Sequence, residues 1–279
     1  MLQEIAPHVF QNAFRNPAPV PKDADLVASF ADGAVLLTRE GNFPTVAKIR
    51  TLGVPEEELI HLFAVDDIQF FLLEEPTEAV KAALCPTPTT VFRTIEPRFL
   101  RLAGPSALHL MNWRQANRFC GCCGAPTVRD DKERAMRCTV CGALVYPRIN
   151  PAVVVALRDG DRLLLTRYAD RNRSARYALI AGFTEIGETM EQTVCREVME
   201  EVGLRVKNVR YHANQPWGFV GNQMVGFWAD LDGDGTVTLD TSELKEAVWL
   251  RRDEIPESHD PIDLTHTMTE LFRLGKDPR

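Results

Sequence analysis

Two groups of residues in this chain have the types and the spacing that chemistry needs. Glu197, Glu200 and Glu201 stand at i, i+3 and i+4, which on a helix puts three carboxylates on one face. Like charges so placed weaken an isolated helix by a few tenths of a kcal/mol per pair. Such a face is either simply solvated or a binding surface for hard divalent cations, Mg²⁺ or Mn²⁺, which take oxygen ligands. The second group is Cys120-x-x-Cys123 and Cys138-x-x-Cys141, each followed by glycine (Gly124 and Gly142). The glycine permits the tight turn that points amide N–H groups at sulfur. Four thiolates at ~2.3 Å from one Zn²⁺ close a tetrahedron with no open position, which makes the site structural and not catalytic. Inert buried thiols or a redox-active pair are the competing readings. Cys122, inside the first pair, competes as a ligand, although it forms no CxxC with Cys123. The chain has seven cysteines, and an odd number argues against a disulfide framework.

Elements must hold these groups in place. Thr189–Val202 reads as the helix that carries the glutamates. Thr189 and Gln192 form a capping box, and Gly203 sits where a left-handed residue ends a helix. Met190, Val194, Val198 and Val202 give that helix one apolar stripe. Upstream, Ala152–Leu157 reads as a buried strand, Arg162–Thr166 as a second strand and Tyr177–Ile180 as a short third. Downstream, strands are expected at 206–213, 223–231, 235–239 and 247–251, with a closing helix at 262–274. Two hairpins, around Asp32-Gly33 and Asp66-Asp67, make the first ~95 residues β-rich. Ser106–Phe119 reads as a helix that delivers the chain to the cysteines. The expected class is α+β: a β-rich N-terminal domain at 1–105, a linker helix and four-Cys ribbon at 106–146, and a mixed α+β domain at 147–279.

The segment from Gly182 joins the signals. Gly182, five residues, Glu188, seven residues, then Arg196-Glu197-Val198-Met199-Glu200-Glu201-Val202-Gly203-Leu204 resembles the Nudix box, Gly-x5-Glu-x7-Arg-Glu-U-x-Glu-Glu-x-Gly-U with U a bulky aliphatic. All specified positions match over 23 residues. The resemblance implies the Nudix fold, a mixed sheet between helices, and hydrolysis of a nucleoside diphosphate linked to another group. Divalent cations neutralise the pyrophosphate and lower the pKa of bound water. By resemblance Glu197, Glu200 and Glu201 hold them, Arg196 orients a glutamate, Glu188 braces the loop, and Gly182 lets the backbone approach the site.

A four-Cys ribbon directly before such a domain resembles the NAD(H) pyrophosphatase family, in which a β-rich module, a ribbon and a Nudix domain follow in that order. Asn214-Gln215-Pro216-Trp217-Gly218-Phe219-Val220-Gly221-Asn222 is similar to that family's array Ser-Gln-Pro-Trp-Pro-Phe-Pro-x-Ser. Asn214 and Asn222 replace serines; Gly218 and Val220 replace prolines. The resemblance implies that Phe183 stacks on nicotinamide and that Tyr146 lies at the pocket. It also implies that Gln215, Trp217 and Asn222 contact substrate, and that Glu246, from Glu246-Ala247-Val248-Trp249, is the glutamate outside the box. Glu243 is the competing candidate for that last role. It implies one structural zinc per chain and a homodimer.

The implied reaction splits NAD(H) into nicotinamide mononucleotide and AMP, and removes NAD caps from RNA. The altered array keeps open another dinucleotide, such as ADP-ribose or a diadenosine polyphosphate. A non-catalytic Nudix-fold regulator or zinc-ribbon nucleic-acid binder is a further reading, against which every box glutamate stands. The chain has 279 residues and a net charge of −7, which does not advertise broad non-specific nucleic-acid binding and leaves room for an anionic substrate at a local site. No apolar run approaches the ~18 residues of a membrane span, and MLQEIAPHVF lacks the pattern of a secretory signal. The expected location is cytoplasmic, with no membrane partner.

Overall fold

A computed structural model describes residues 1–169, 177–257 and 262–278. The chain divides into two compact units: Gln3–Arg148 with Gly218–Gly221, and Met1–Leu2 with Ile149–Trp217 and Asn222–Arg279.

In the first unit, β1 (Phe10–Gln11), β2 (Leu26–Ala31), β3 (Ala34–Leu37), α1 (Val46–Thr51), β4 (Leu59–Val65), β5 (Ile68–Leu73), α2 (Glu78–Ala83) and β6 (Cys85–Pro88) precede the long helix α3 (Leu100–Ala116). Six strands form one sheet in the order β1-β4-β5-β2-β3-β6. The two hairpins turn where Asp32-Gly33 and Asp66-Asp67 were expected to turn them, with Asp32, Gly33 and Asp66 all at positive φ. Successive strand residues enter opposite cores: Ala28, Leu37, Phe70 and Leu72 pack with α3, while Val27, Leu36, Phe71 and Leu73 pack with α1 and α2. A sheet covered on both faces explains the unbroken apolar runs of its strands.

Helix α3 starts six residues before Ser106 and contains Pro105, so the sequence boundary between 105 and 106 falls inside a helix. Gly104 lets it press on Phe92, whose ring occupies the place of a Cβ. The Gly218–Gly221 segment packs in this same unit. Phe219 lies against the α3 core with its ring 6.5 Å from that of Phe92, and a Cβ at Gly218 would overlap the Pro105 carbonyl. Glycine at 218 in place of proline is therefore a steric requirement of this chain. A ribbon of β7 (Thr127–Arg129), β8 (Met136–Cys138) and β9 (Leu144–Val145) completes the unit.

The second unit contains β10 (Asn150–Asp159), β11 (Arg162–Tyr168), β12 (Ile180–Phe183), α4 (Met190–Val202), β13 (Val206–Trp217), β14 (Asn222–Leu231), β15 (Leu244–Arg251) and α5 (Leu264–Arg273). Its sheet runs β13-β14-β10-β11-β15, with β12 beside β10. It is mixed: β10 is parallel to β14 and antiparallel to β11 and β12. Helix α4 covers one face and α5 the other, the sandwich that the resemblance implied. The expected strand at 177–180 is reduced to one bridge, Ala178 to Thr166, and the strand proper begins at Ile180.

The strand expected at 235–239 is absent. That segment has a better use for its N–H groups: Thr238 donates to the Val202 carbonyl and Asp240 to that of Glu201, both at 2.9 Å. These are carbonyls that the last turn of α4 leaves without helical partners. Strand β13 also extends past 213, through the Gln-Pro-Trp array, because it stays paired with β14 up to Trp217–Asn222.

Candidate functional site

Helix α4 is fixed at both ends and along one side. Thr189 accepts from the Gln192 N–H at 3.2 Å while Gln192 accepts from the Thr189 N–H at 2.8 Å; losing such a cap costs about 0.5–2 kcal/mol. Gly203 ends the helix with φ +68°. Val194, Val198 and Val202 are fully buried, each worth roughly 1.5–3 kcal/mol. With its rotation set by that stripe, the helix sinks Glu197 and Glu201 towards the sheet, where they are 9% and 4% exposed, and leaves Glu200 outside. The three carboxylates are thus not one solvated face.

Arg196 organises what surrounds them. Its Nε and Nη2 donate to the two oxygens of Glu188 at 2.7 and 2.9 Å. Nη1 donates to Glu197 at 2.8 Å and to Glu200 at 2.9 Å, and Nη2 also reaches the Phe183 carbonyl at 2.8 Å. One guanidinium therefore screens two glutamates from each other and pins both ends of the loop between β12 and α4. Glu188 further accepts from the Glu185 N–H and the Thr193 hydroxyl. The Arg196 guanidinium, with these donors, holds the Glu188 carboxyl down at about 2.

Burial acts the other way on the inner pair. It raises Glu197, and it pushes Glu201 up to about 8, helped by the charges of Glu197 and Glu243 and opposed by the Ala181 N–H. Both glutamates thus feel Glu243, which lies just before β15. Glu246 is engaged elsewhere, 3.5 Å from Arg167. The structure brings Glu243 rather than Glu246 to the cluster. Glu246 lies on β15 opposite Arg167 of β11, whereas Glu243 lies in the turn ahead of that strand.

Gly182 fits this arrangement sterically: the Glu197 carboxylate occupies the space of its missing Cβ. The obstacle is the end of a flexible side chain, so Gly182→Ala should fold normally and displace Glu197. A fall in kcat/KM of about 100-fold, with an unchanged melting temperature, is expected, the scale of losing one strong electrostatic contact. A variant within a few-fold of wild type would show that the position of Glu197 does not matter.

The other residues singled out from the sequence divide. Phe183, at the end of β12, is 54% exposed; its carbonyl is held by Arg196 while its ring is left available. Trp217 and Asn222 face each other where β13 meets β14, and Asn222 Oδ1 is buried with no partner among the described residues. Gln215 is fully buried and donates to the Ile262 carbonyl at 2.6 Å. Its amide nitrogen therefore anchors the chain ahead of α5, while its Oε1 is buried with no partner among the described residues. Tyr146, in the first unit, is 50% exposed, and the neighbouring Glu133 raises the pKa of its phenol.

The four ribbon cysteines converge, with all sulfurs within 4.8 Å of one another. Cys120 and Cys141 are 3.6 Å apart and Cys123 and Cys138 3.4 Å, against about 3.8 Å for the edge of a tetrahedron with 2.3 Å Zn–S bonds. The N–H groups of Cys141 and Val140 point at Cys138 and lower its pKa to about 6, and those of Cys122 and Cys123 lower that of Cys120. Thiolates so stabilised suit Zn²⁺. Cys122 is exposed and stays outside the set. Among the described residues no carboxylate group converges as tightly as these sulfurs.

Comparison with known proteins gives a concordant result. Residues 148–270 match the NUDIX domain and residues 115–146 the NADH pyrophosphatase zinc ribbon domain. A protein of Klebsiella pneumoniae subsp. pneumoniae named NAD-capped RNA hydrolase NudC is 43% identical over 161 residues, 58% of this chain and 62% of that protein. A protein of the same name from Pectobacterium atrosepticum is 41% identical over 170 residues, 61% of this chain and 64% of that one. The match thus spans less than two thirds of these relatives. A NUDIX hydrolase from Nitrosomonas europaea superposes with a TM-score of 0.49 at 22% identity, covering 56% of this chain and 90% of that one.

Proposed function

We propose that this chain, which carries a NUDIX domain directly behind an NADH pyrophosphatase zinc ribbon domain, hydrolyses the pyrophosphate bond of NAD(H) to nicotinamide mononucleotide and AMP. The same scission at the 5′ end of NAD-capped RNA is the second arm of the reading. The observation that carries it is the Arg196 clamp, which sets Glu188, Glu197 and Glu200 and the Phe183 carbonyl in one rigid loop–helix unit.

In this reading Glu197, Glu200, Glu201 and Glu243 hold divalent cations, Mg²⁺ or Mn²⁺, which when bound neutralise the pyrophosphate and lower the pKa of a coordinated water. Water oxygen attacks one phosphorus, the bridging P–O bond breaks, and the departing phosphate keeps the electron pair. The proton of the attacking water goes to a carboxylate of the cluster. Arg196 keeps the carboxylates aimed and does not touch the substrate. Assembly as a homodimer rests on resemblance. No helix among the described residues is long and apolar enough to cross a membrane.

The test is turnover with Mg²⁺ or Mn²⁺ across NADH, NAD⁺, ADP-ribose and NAD-capped RNA. Phe183→Ala sharpens it. A ring stacked on nicotinamide is worth about 0.5–1.5 kcal/mol beyond its burial, so kcat/KM for NADH should fall by about tenfold or more. ADP-ribose, which lacks the nicotinamide, should be affected much less. Equal losses on both substrates would remove Phe183 from the ring-binding role.

A further inference from the structure

The N-terminal unit holds cations that its own acids do not answer. A cavity of about 30 Å³ is bordered by Phe14, Ile60, His61, Trp113, Arg129 and Arg134, large enough for one or two water-sized groups. Arg134 is only partly exposed and donates to two backbone carbonyls, those of Asn12 and Leu62; no carboxylate pairs with it among the described residues. Burial lowers its pKa. Arg129 is exposed, and its side chain has no ion pair or hydrogen bond among the described residues. The indole N–H of Trp113 is a buried donor without a partner there as well, in a residue only 7% exposed. Burial lowers the pKa of His61, and the charges of Arg15 and Arg134 add to that.

Three acids of this unit already have partners. Glu74 pairs with Arg114, the third arginine of the cavity wall. Asp130 pairs with Arg137 and accepts from the Lys132 and Glu133 N–H groups. Asp25 accepts from the Lys22 and Gln69 N–H groups. A part-buried guanidinium without a counter-charge is costly, all the more noticeable in a chain of net charge −7. Such a site suits an anion, and guanidinium groups match phosphate oxygens.

We propose that this cavity is an oxyanion site that takes one or two oxygens of a phosphate ester, held by Arg129 and Arg134. The volume admits phosphate oxygens but no base or sugar. Two sources present that chemistry: a phosphodiester of the RNA body behind the cap, and a free nucleotide such as the AMP product. The RNA source rests on the proposed function; the nucleotide source does not.

The experiment uses the zinc-loaded full chain, with Arg134→Met and Arg129→Gln. Arg134 also fastens backbone, so its melting temperature is checked; Arg129 has no partner to lose and keeps the test sound if the first variant fails to fold. If RNA supplies the phosphate, KM for NAD-capped RNA rises about tenfold, the scale of one charge-assisted hydrogen bond. The slope of log affinity against log salt should then flatten by about 0.7 per lost contact, with NADH kinetics unchanged. If a free nucleotide supplies it, AMP or inorganic phosphate binds the wild type by calorimetry, binding is lost in the variants, and RNA kinetics stay put. Variants that change neither RNA kinetics nor AMP and phosphate binding overturn the proposal. Should the wild type fail to hydrolyse NADH or capped RNA, the hydrolase reading falls, while calorimetry with AMP and phosphate still decides the pocket.

Discussion

Glu201→Gln should abolish turnover and at the same time stabilise the metal-free chain in alkaline solution. The carboxylate is 4% exposed, so its charge serves the reaction and is costly to the fold. Removing one anionic cation ligand forfeits several kcal/mol of transition-state stabilisation, a fall of about 10³-fold or more in kcat/KM at saturating Mg²⁺. The stability effect follows from linkage. Glu201 moves from 4.5 to about 8 on folding, so the folded chain binds this proton more tightly than the unfolded one. Its contribution is fully present below about pH 4.5 and is lost as pH rises through about 8. At about 1.4 kcal/mol per pKa unit the loss amounts to a few kcal/mol. Glutamine has no proton to lose. The melting temperatures of wild type and variant, measured in chelator, should therefore lie close at pH 5 and diverge at pH 8 and above, the variant melting higher. A gap that does not change with pH would refute the buried titration. Activity within a few-fold of wild type would refute the cation site.

Replacing Cys138 by Ser is expected to have the largest structural effect. Cys138 is buried, accepts from two backbone N–H groups and sits on β8 at the centre of the ribbon sheet. Structural Zn²⁺ in small domains contributes an apparent ~10–16 kcal/mol to folding at neutral pH. With one thiolate gone, a chain purified without added metal should contain well under one zinc and lose protease resistance in the ribbon first. Cys122→Ser, at an exposed thiol whose deprotonation the Cys120 charge opposes, should retain full zinc and wild-type melting. Elemental analysis separates the outcomes: zinc retained in the Cys138 variant, or lost in the Cys122 variant, contradicts the ligand set.

The sequence revealed what is governed by local spacing. Helix α4 was legible to within one residue at its start and to the residue at its end because its cap, stripe and terminating glycine are all local signals. The zinc ligands were legible because two CxxC loops need little else to find each other. What depended on packing was hidden. Glu197, Glu200 and Glu201 look equivalent in sequence, and only the rotation of α4 against the sheet buries two of them. Gln215 reads as a polar contact residue until the carbonyl of Ile262, 47 positions away, takes its amide. The expected strand at 235–239 had suitable residues, but the open carbonyls of α4 claimed its backbone. The choice between Glu243 and Glu246 turns on where the chain enters β15, which no motif spacing records.

The chain crosses between its compact units at 2/3, 148/149, 217/218 and 221/222, and that has a consequence for its inheritance. A protein whose units were consecutive in sequence could trade one for another by a single recombination. Here a cut after Arg148 strips Phe219 of its Phe92 neighbour and leaves the upstream fragment with a vacancy in its core, so neither fragment is an exchangeable cassette. The four residues at the tip must change in concert with α3, some hundred positions earlier, whose Pro105 carbonyl leaves no room for a side chain at 218. Trp217 and Asn222 flank that tip. Whatever specificity they confer is therefore passed on together with the N-terminal unit, and hybrids between relatives should fail at this joint unless the tip and α3 come from the same parent.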